Sequence, residues 1–218
     1  MNYEQMNNNK VYVYGQIVTD AEFSHEVYGE GFYNMTIKVE RLSNQCEFIP
    51  ITISERILRE ENLKNGDMVA LKGQFRSYNK QMENKSKLSL TIFVREIIAK
   101  VENAPTNIIE LSGYICKEPI YRTTPFNREI CDVLLAVNRA YNKSDYIPCI
   151  AWGRNARFAK SIEIGEKVLI HGRIQSREYQ KRLDDDNIEN RVAYEISISK
   201  IALCENENIL KESDVFVS

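Results

Sequence analysis

In the stretch DYIPCIAWG, residues 145–153, both alternate sets of side chains are apolar, but they differ in kind. Ile147, Cys149 and Ala151 are compact enough for a core, whereas Tyr146, Pro148, Ile150 and Trp152 begin and end on a ring. In a β-strand successive side chains face opposite sides, so the two rings share one face and the small residues the other. A ring on an open groove stacks on any nucleobase, because every base has a π-face, at roughly 1–3 kcal/mol per base. The alternative for such rings is core packing, and here the opposite face already supplies an aliphatic core set. Bases also need company for their phosphates. The strand from Lys167 turns Val168, Ile170, Gly172 and Ile174 one way, which leaves His171, Arg173 and Gln175 on the other, with Arg177 and Tyr179 continuing that side. Arg122, Arg128 and Arg139 lie in or beside loops that would flank the same groove. A lone arginine is ordinarily a solvated surface charge; interleaved with Tyr and Trp it supplies both phosphate contact and cation–π stacking.

Other chemistries are poorly provided for. His171 has no Ser, Cys or Asp partners arranged as a catalytic triad, and no G-x-x-x-x-G-K-[ST] phosphate loop occurs. The run LDDDN, residues 183–187, could hold a hard cation through Asp184, Asp185 and Asp186, but the Gly and distal Glu of a calcium loop are missing, so it reads as a solvated hairpin tip. Five cysteines, Cys46, Cys116, Cys131, Cys149 and Cys204, form no C-x-x-C pair and read as reduced thiols. A non-enzyme without metal or cofactor is expected.

The elements that must position these residues occur twice. A shift of 98 residues lays VYGQIVTD (13–20) on LSGYICKE (111–118), MTIKVER on VLLAVNR and EFIPI on DYIPC, so that Gly15 meets Gly113, Arg41 meets Arg139 and Pro50 meets Pro148. A shift of 99 lays LKNGDMVALKGQFRS on IEIGEKVLIHGRIQS, matching Gly66 with Gly165 and Gly73 with Gly172. Landmarks held at a nearly fixed shift indicate an internal duplication. Each copy reads as five strands with one helix, SERILREEN or RNARFAKSI, between the third and the fourth. That order is the OB-fold, a five-stranded Greek-key barrel. The expectation is an all-β protein of two tandem OB-folds: residues 9–103, a diverged copy; residues 104–204; and a short acidic tail, 205–218, with NAPTN (103–107) as linker.

The second copy carries G-x-I-x-x-x-P-x-x-R-x-T, LAVNR, YIPCIAWG and G-R-I-x-S-R-x-Y in one order, and in this it resembles the bacterial single-stranded-DNA-binding proteins. The resemblance implies that Tyr141, Tyr146, Trp152 and Tyr179 stand where that family places base-stacking rings. It also implies sequence-tolerant binding of single-stranded DNA in replication, recombination or repair, and a homodimer that would array four OB-folds. The first copy departs from the pattern. Ser54 aligns with Trp152 and Ser43 with Tyr141, leaving Phe48 and Tyr78 as candidate rings and Lys38, Lys72 and Arg76 as candidate cations. Weaker binding or a structural role is expected there. The tail, with Phe216 near its end, is a short echo of the family's acidic partner-binding tip, through which replication or repair proteins would dock.

Net charge is −2, yet the acid excess sits mainly in the tail: basic against acidic residues number 13 and 13 over 9–103, 15 and 13 over 107–204, and 1 and 4 over 205–218. No stretch approaches the roughly 18 apolar residues of a membrane span, so a cytoplasmic protein without membrane contact is expected. Two other functions fit the same pattern: a primosome or replication-restart adaptor with weak DNA binding, and an RNA-binding OB-fold protein, since stacking and phosphate contact serve RNA as well.

Overall fold

The computed structural model describes residues 7–204 except 42, 44, 83, 84, 185 and 186, and within 79–87 and 181–189 it describes the backbone alone. The tail, including Phe216, and Asp185 and Asp186 of the acidic run lie outside the described residues.

The first series of elements is β1 (Asn9–Ile17), β2 (Glu22–Val27), β3 (Glu30–Glu40), β4 (Cys46–Ser54), α1 (Glu55–Glu60), β5 (Met68–Met82) and β6 (Lys85–Ile98). The second repeats it: β7 (Asn107–Ile115), β8 (Ile120–Thr123), β9 (Glu129–Arg139), a single 3₁₀ turn (Ala140–Asn142), β10 (Lys143–Trp152), α2 (Arg154–Ala159), β11 (Lys167–Asp184) and β12 (Asn187–Leu203). Each series thus has six strands where five were expected. The extra ones, β2 and β8, are edge strands hydrogen-bonded to β3 and β9. Both helices are shorter than the sequence stretches that announced them.

Each series closes on itself. β1 pairs with β3 as well as β5, and β7 pairs with β9 as well as β11. Short parallel contacts, β4 to β6 and β10 to β12, shut the other side. The repeated glycines explain themselves at these closures. A Cβ on Gly15 would collide with the Lys38 carbonyl oxygen, and one on Gly113 would lie 2.6 Å from that of Ala136, so only glycine lets the strands cross this closely. The result is two OB-folds in tandem. Their interiors are filled by the inward sets of β3 (Met35, Ile37, Val39), β4 (Ile49, Ile51, Ile53) and β10 (Ile147, Cys149, Ala151) with their counterparts.

The barrels share one continuous sheet, because β1 and β7 pair antiparallel with Val11 opposite Ile109. Residues 11 and 109 are equivalent under the 98-residue shift, so a pseudo-two-fold axis passes between them. Two matching polar junctions flank it. Buried Asp145 accepts from the Ser77 backbone N–H (2.8 Å) and pairs with Arg139 (3.3 Å). Buried Glu47 accepts from the Ser176 backbone N–H (2.8 Å) and hydroxyl (2.6 Å) and pairs with Arg41. Arg41 and Arg139, Glu47 and Asp145, Ser77 and Ser176 are all equivalent positions, so much of the repeat visible in the sequence encodes the seam between the copies.

Candidate nucleic-acid interface

Strand β10 alternates as its sequence requires. Ile147, Cys149 and Ala151 are buried, while Tyr146 and Trp152 on the other face are 48% and 39% exposed. Between the rings Ile150 is also buried, so the outward face has an apolar floor. Cross-strand partners share a face, and the register therefore shows what surrounds the rings. One row runs Arg122, Ile130, Trp152 across β8, β9 and β10. The next runs Ile120, Asp132, Ile150, Ser197, Arg173 across β8, β9, β10, β12 and β11. Trp152, Arg122 and Arg173 thus belong to one surface.

The cations on that surface are held to different degrees. Arg122 donates two bonds to one Asp132 carboxylate oxygen, at 3.0 and 2.8 Å. Arg173 is half-buried and lies 3.4 Å from the Gln175 carbonyl oxygen. Arg177 is exposed, 3.9 Å from Glu195, with its guanidinium 6.0 Å from the centre of the Tyr179 ring. That is the Arg–Tyr interleaving expected along β11. Arg128 is exposed in the β8–β9 turn, where its backbone bonds to Thr124. Arg139, expected at the groove's flank, instead points into the seam as the partner of Asp145.

Tyr141 occupies the 3₁₀ turn, 80% exposed, with φ 62° and ψ 36°. A bulky residue rarely adopts this left-handed conformation, which costs on the order of 1–2 kcal/mol. The strain directs a ring into solvent.

In the first barrel Ser54 stands at the Trp152 position and caps α1, accepting from the Ile57 N–H at 3.4 Å. α2 has no side-chain cap; it starts after Gly153, at φ 52°. Phe48 and Tyr78 are exposed as expected. Lys38 lies across from Phe48, Lys72 is half-buried on β5, and Arg76 lies 4.5 Å over the centre of the Phe93 ring. Phe93, Phe32 and Arg95 went unnoticed in the sequence. Phe93 packs on Phe32 (centroids 5.5 Å), and His25 stacks on Phe32 (5.1 Å). Phe93 faces outward in the row Asn34, Thr52, Phe93, Gln74, the counterpart of the Asp132–Arg173 row. Two further rings, Tyr28 and Phe126, also went unnoticed. They sit at equivalent tips of the β2–β3 and β8–β9 hairpins and are fully or almost fully exposed. Each is a lone ring in a polar loop, and only the 98-residue shift that matches them could have marked them.

No metal-binding cluster occurs among the described residues, and none of their helices is long and apolar enough to cross a membrane. Burial pushes the thiols of Cys131 (to about 11) and Cys149 upward, so neither is a ready nucleophile. His171 lies 3.4 Å from Glu110, on the neighbouring strand.

Residues 106–204 match the model of the Single-strand binding protein family. Over 83 residues the chain is 32% identical to single-stranded DNA-binding protein 1 of Staphylococcus aureus, covering 35% of this chain and 50% of that protein. It is 34% identical over 83 residues to single-stranded DNA-binding protein 1 of Lactococcus lactis, covering 35% and 55%. The chain thus spans about half the length of these curated relatives. The crystal structure of the wild-type single-stranded DNA binding protein from Thermus aquaticus superimposes with a TM-score of 0.71 at 15% identity, covering 94% of this chain and 96% of that one. The shared fold therefore extends over both barrels.

Proposed function

We propose that the chain, whose residues 106–204 match the model of the Single-strand binding protein family, is a non-catalytic, sequence-tolerant binder of single-stranded DNA serving replication, recombination or repair. The observation that carries this is the outward face of β10, where Tyr146 and Trp152 stand half-exposed above an apolar floor, with Arg122 and Arg173 on the same surface. The names of the bacterial relatives point to the same ligand. Bases stack on Tyr146, Trp152, Tyr141 and Tyr179, while Arg122, Arg128, Arg173 and Arg177 take phosphates. Residues 9–103 and 104–204 are the two domains, and residues 104–204 carry the principal binding face. Two chains pair in solution to array four barrels, a stoichiometry that light scattering reads directly.

The test is a titration with oligo-dT and oligo-rU at two salt concentrations, followed by the fluorescence of Trp152, the chain's single tryptophan. Three to five phosphate contacts give a log–log salt slope of roughly −2 to −3.5 for a single strand. Quenching by oligo-dT with that slope supports the proposal. Micromolar or weaker binding without quenching assigns the chain to the adaptor class, and tighter binding of oligo-rU makes RNA its ligand.

A further inference from the structure

By spacing alone Arg76 and Arg139 belong to different barrels, and Arg95 and Phe93 lie in an apolar run that hides them. The fold brings them together at one of the two junctions. Arg76 and Arg95 both lie over Phe93, with guanidinium carbons 4.5 and 5.2 Å from the ring centre. Both donate to the same Gln74 carbonyl oxygen, at 2.6 and 3.3 Å. Ser77, the next residue after Arg76, donates its backbone N–H to Asp145, and Asp145 holds Arg139 from the other barrel. The three cations are close enough to repel one another. Burial is the main cause that lowers Arg76 to about 10, with Arg139 and Arg95 adding to it, and Arg139 also lowers Arg95 after burial does. Among the described residues Asp145 is the carboxylate that ion-pairs with this group, through Arg139, and Arg76 and Arg95 have none. The Arg76 Nε is buried without a hydrogen-bond partner.

The other junction is balanced differently. At the ladder position where the first barrel sets Arg76 opposite Thr91, the second sets Gln175 opposite Glu195. There Arg41 pairs with buried Glu47, and buried Glu195 accepts from the Gln175 amide at 2.8 Å and lies 3.9 Å from Arg177. Three arginines around one carboxylate call for an anion, and Tyr146 adjoins them, its backbone N–H bonded to the Ser77 hydroxyl at 2.8 Å.

Resting on the reading of the chain as a single-strand binder, we propose that Arg76, Arg95 and Arg139, on a floor of Phe93, form a phosphate clamp at this junction. The clamp grips the phosphodiester backbone of one DNA strand as it crosses from the Tyr146–Trp152 face onto the first barrel. A guanidinium suits the task, since it offers phosphate a planar fork of donors and keeps its charge.

The test compares the full chain with R76Q/R95Q on two probes: oligo-dT of about 10 nucleotides, which one barrel can hold, and of about 35, which must span two. The long probe should lose about tenfold or more in affinity at low salt, and its slope should shallow by about 1.4, for two lost phosphate contacts. The short probe, seated on the second barrel, should change less than about twofold. R76K/R95K should retain most of the slope. Because Arg76 is half-buried, exposed Arg95 is also tested alone as R95Q, where a slope change of about 0.7 is expected. Unchanged long-probe affinity and slope in R95Q and the double variant overturn the clamp, and so does an equal loss on both probes. A wild-type protein that binds neither probe overturns the proposed function itself.

Discussion

Trp152 stands at a position with two competing uses. In the first barrel that place is taken by Ser54, which caps a helix; in the second it is given to an indole, and the following helix goes uncapped. The exchange separates stability from binding at a single residue. Trp152→Ala is expected to weaken oligo-dT binding by about 1–3 kcal/mol while moving the melting temperature little, because the ring is only partly covered. A large stability loss with intact affinity per folded molecule would make the ring part of the core. Residues of this kind were readable in advance wherever alternation set a ring against an aliphatic partner set, as in β10. Phe93 was harder to read: it is a single ring between Thr91 and Arg95, and only the pairing with Thr52 and Gln74 shows what lies beside it. The pairing of Arg139 with Asp145 was unreadable for a related reason, since the two meet only through the folded β9–β10 hairpin.

Among the elements, the core strands and the single helix of each copy follow from periodicity. β2 and β8 do not, since β2 is exposed along its whole length and β8 almost so, and neither carries an alternation of buried and exposed residues. Such strands exist because β3 and β9 offer free edges, a tertiary fact. Helix length was overestimated in SERILREEN, whose apolar residues Ile57 and Leu58 both lie inside α1, because Asn62, at φ 47°, has already reversed the chain. The cap of α1 gives this scale its own measurement. Ser54→Ala should cost about 0.5–1 kcal/mol in urea unfolding and leave oligo-dT affinity unchanged. A matching loss of affinity would bring the α1 end of the first barrel into the binding surface.

For the molecule as a whole, the seam couples the barrels through buried charge. Burial, the dominant influence, raises the pKa of Asp145, against the opposing pull of the Ser77 N–H, Arg139 and Arg76. A carboxylate whose folded pKa is raised contributes most below its unfolded pKa, about 3.9, and that contribution is lost as pH climbs through the folded value. The stability of the wild type relative to Asp145→Asn should therefore be greatest near the acid end of that window and decline with rising pH. Urea unfolding of both proteins from pH 3.5 to 7 measures it. An advantage that instead grows with pH would mean that the ion pair with Arg139 outweighs burial. The two junctions of the seam share a plan but not a charge: arginines dominate one, and glutamates offset them in the other. Two identical barrels around a true two-fold axis would offer a polynucleotide two equivalent routes, one running 5′ to 3′ and the other 3′ to 5′, with nothing to choose between them. In the fused and diverged pair that degeneracy is gone, because the two ends of the seam are no longer interchangeable.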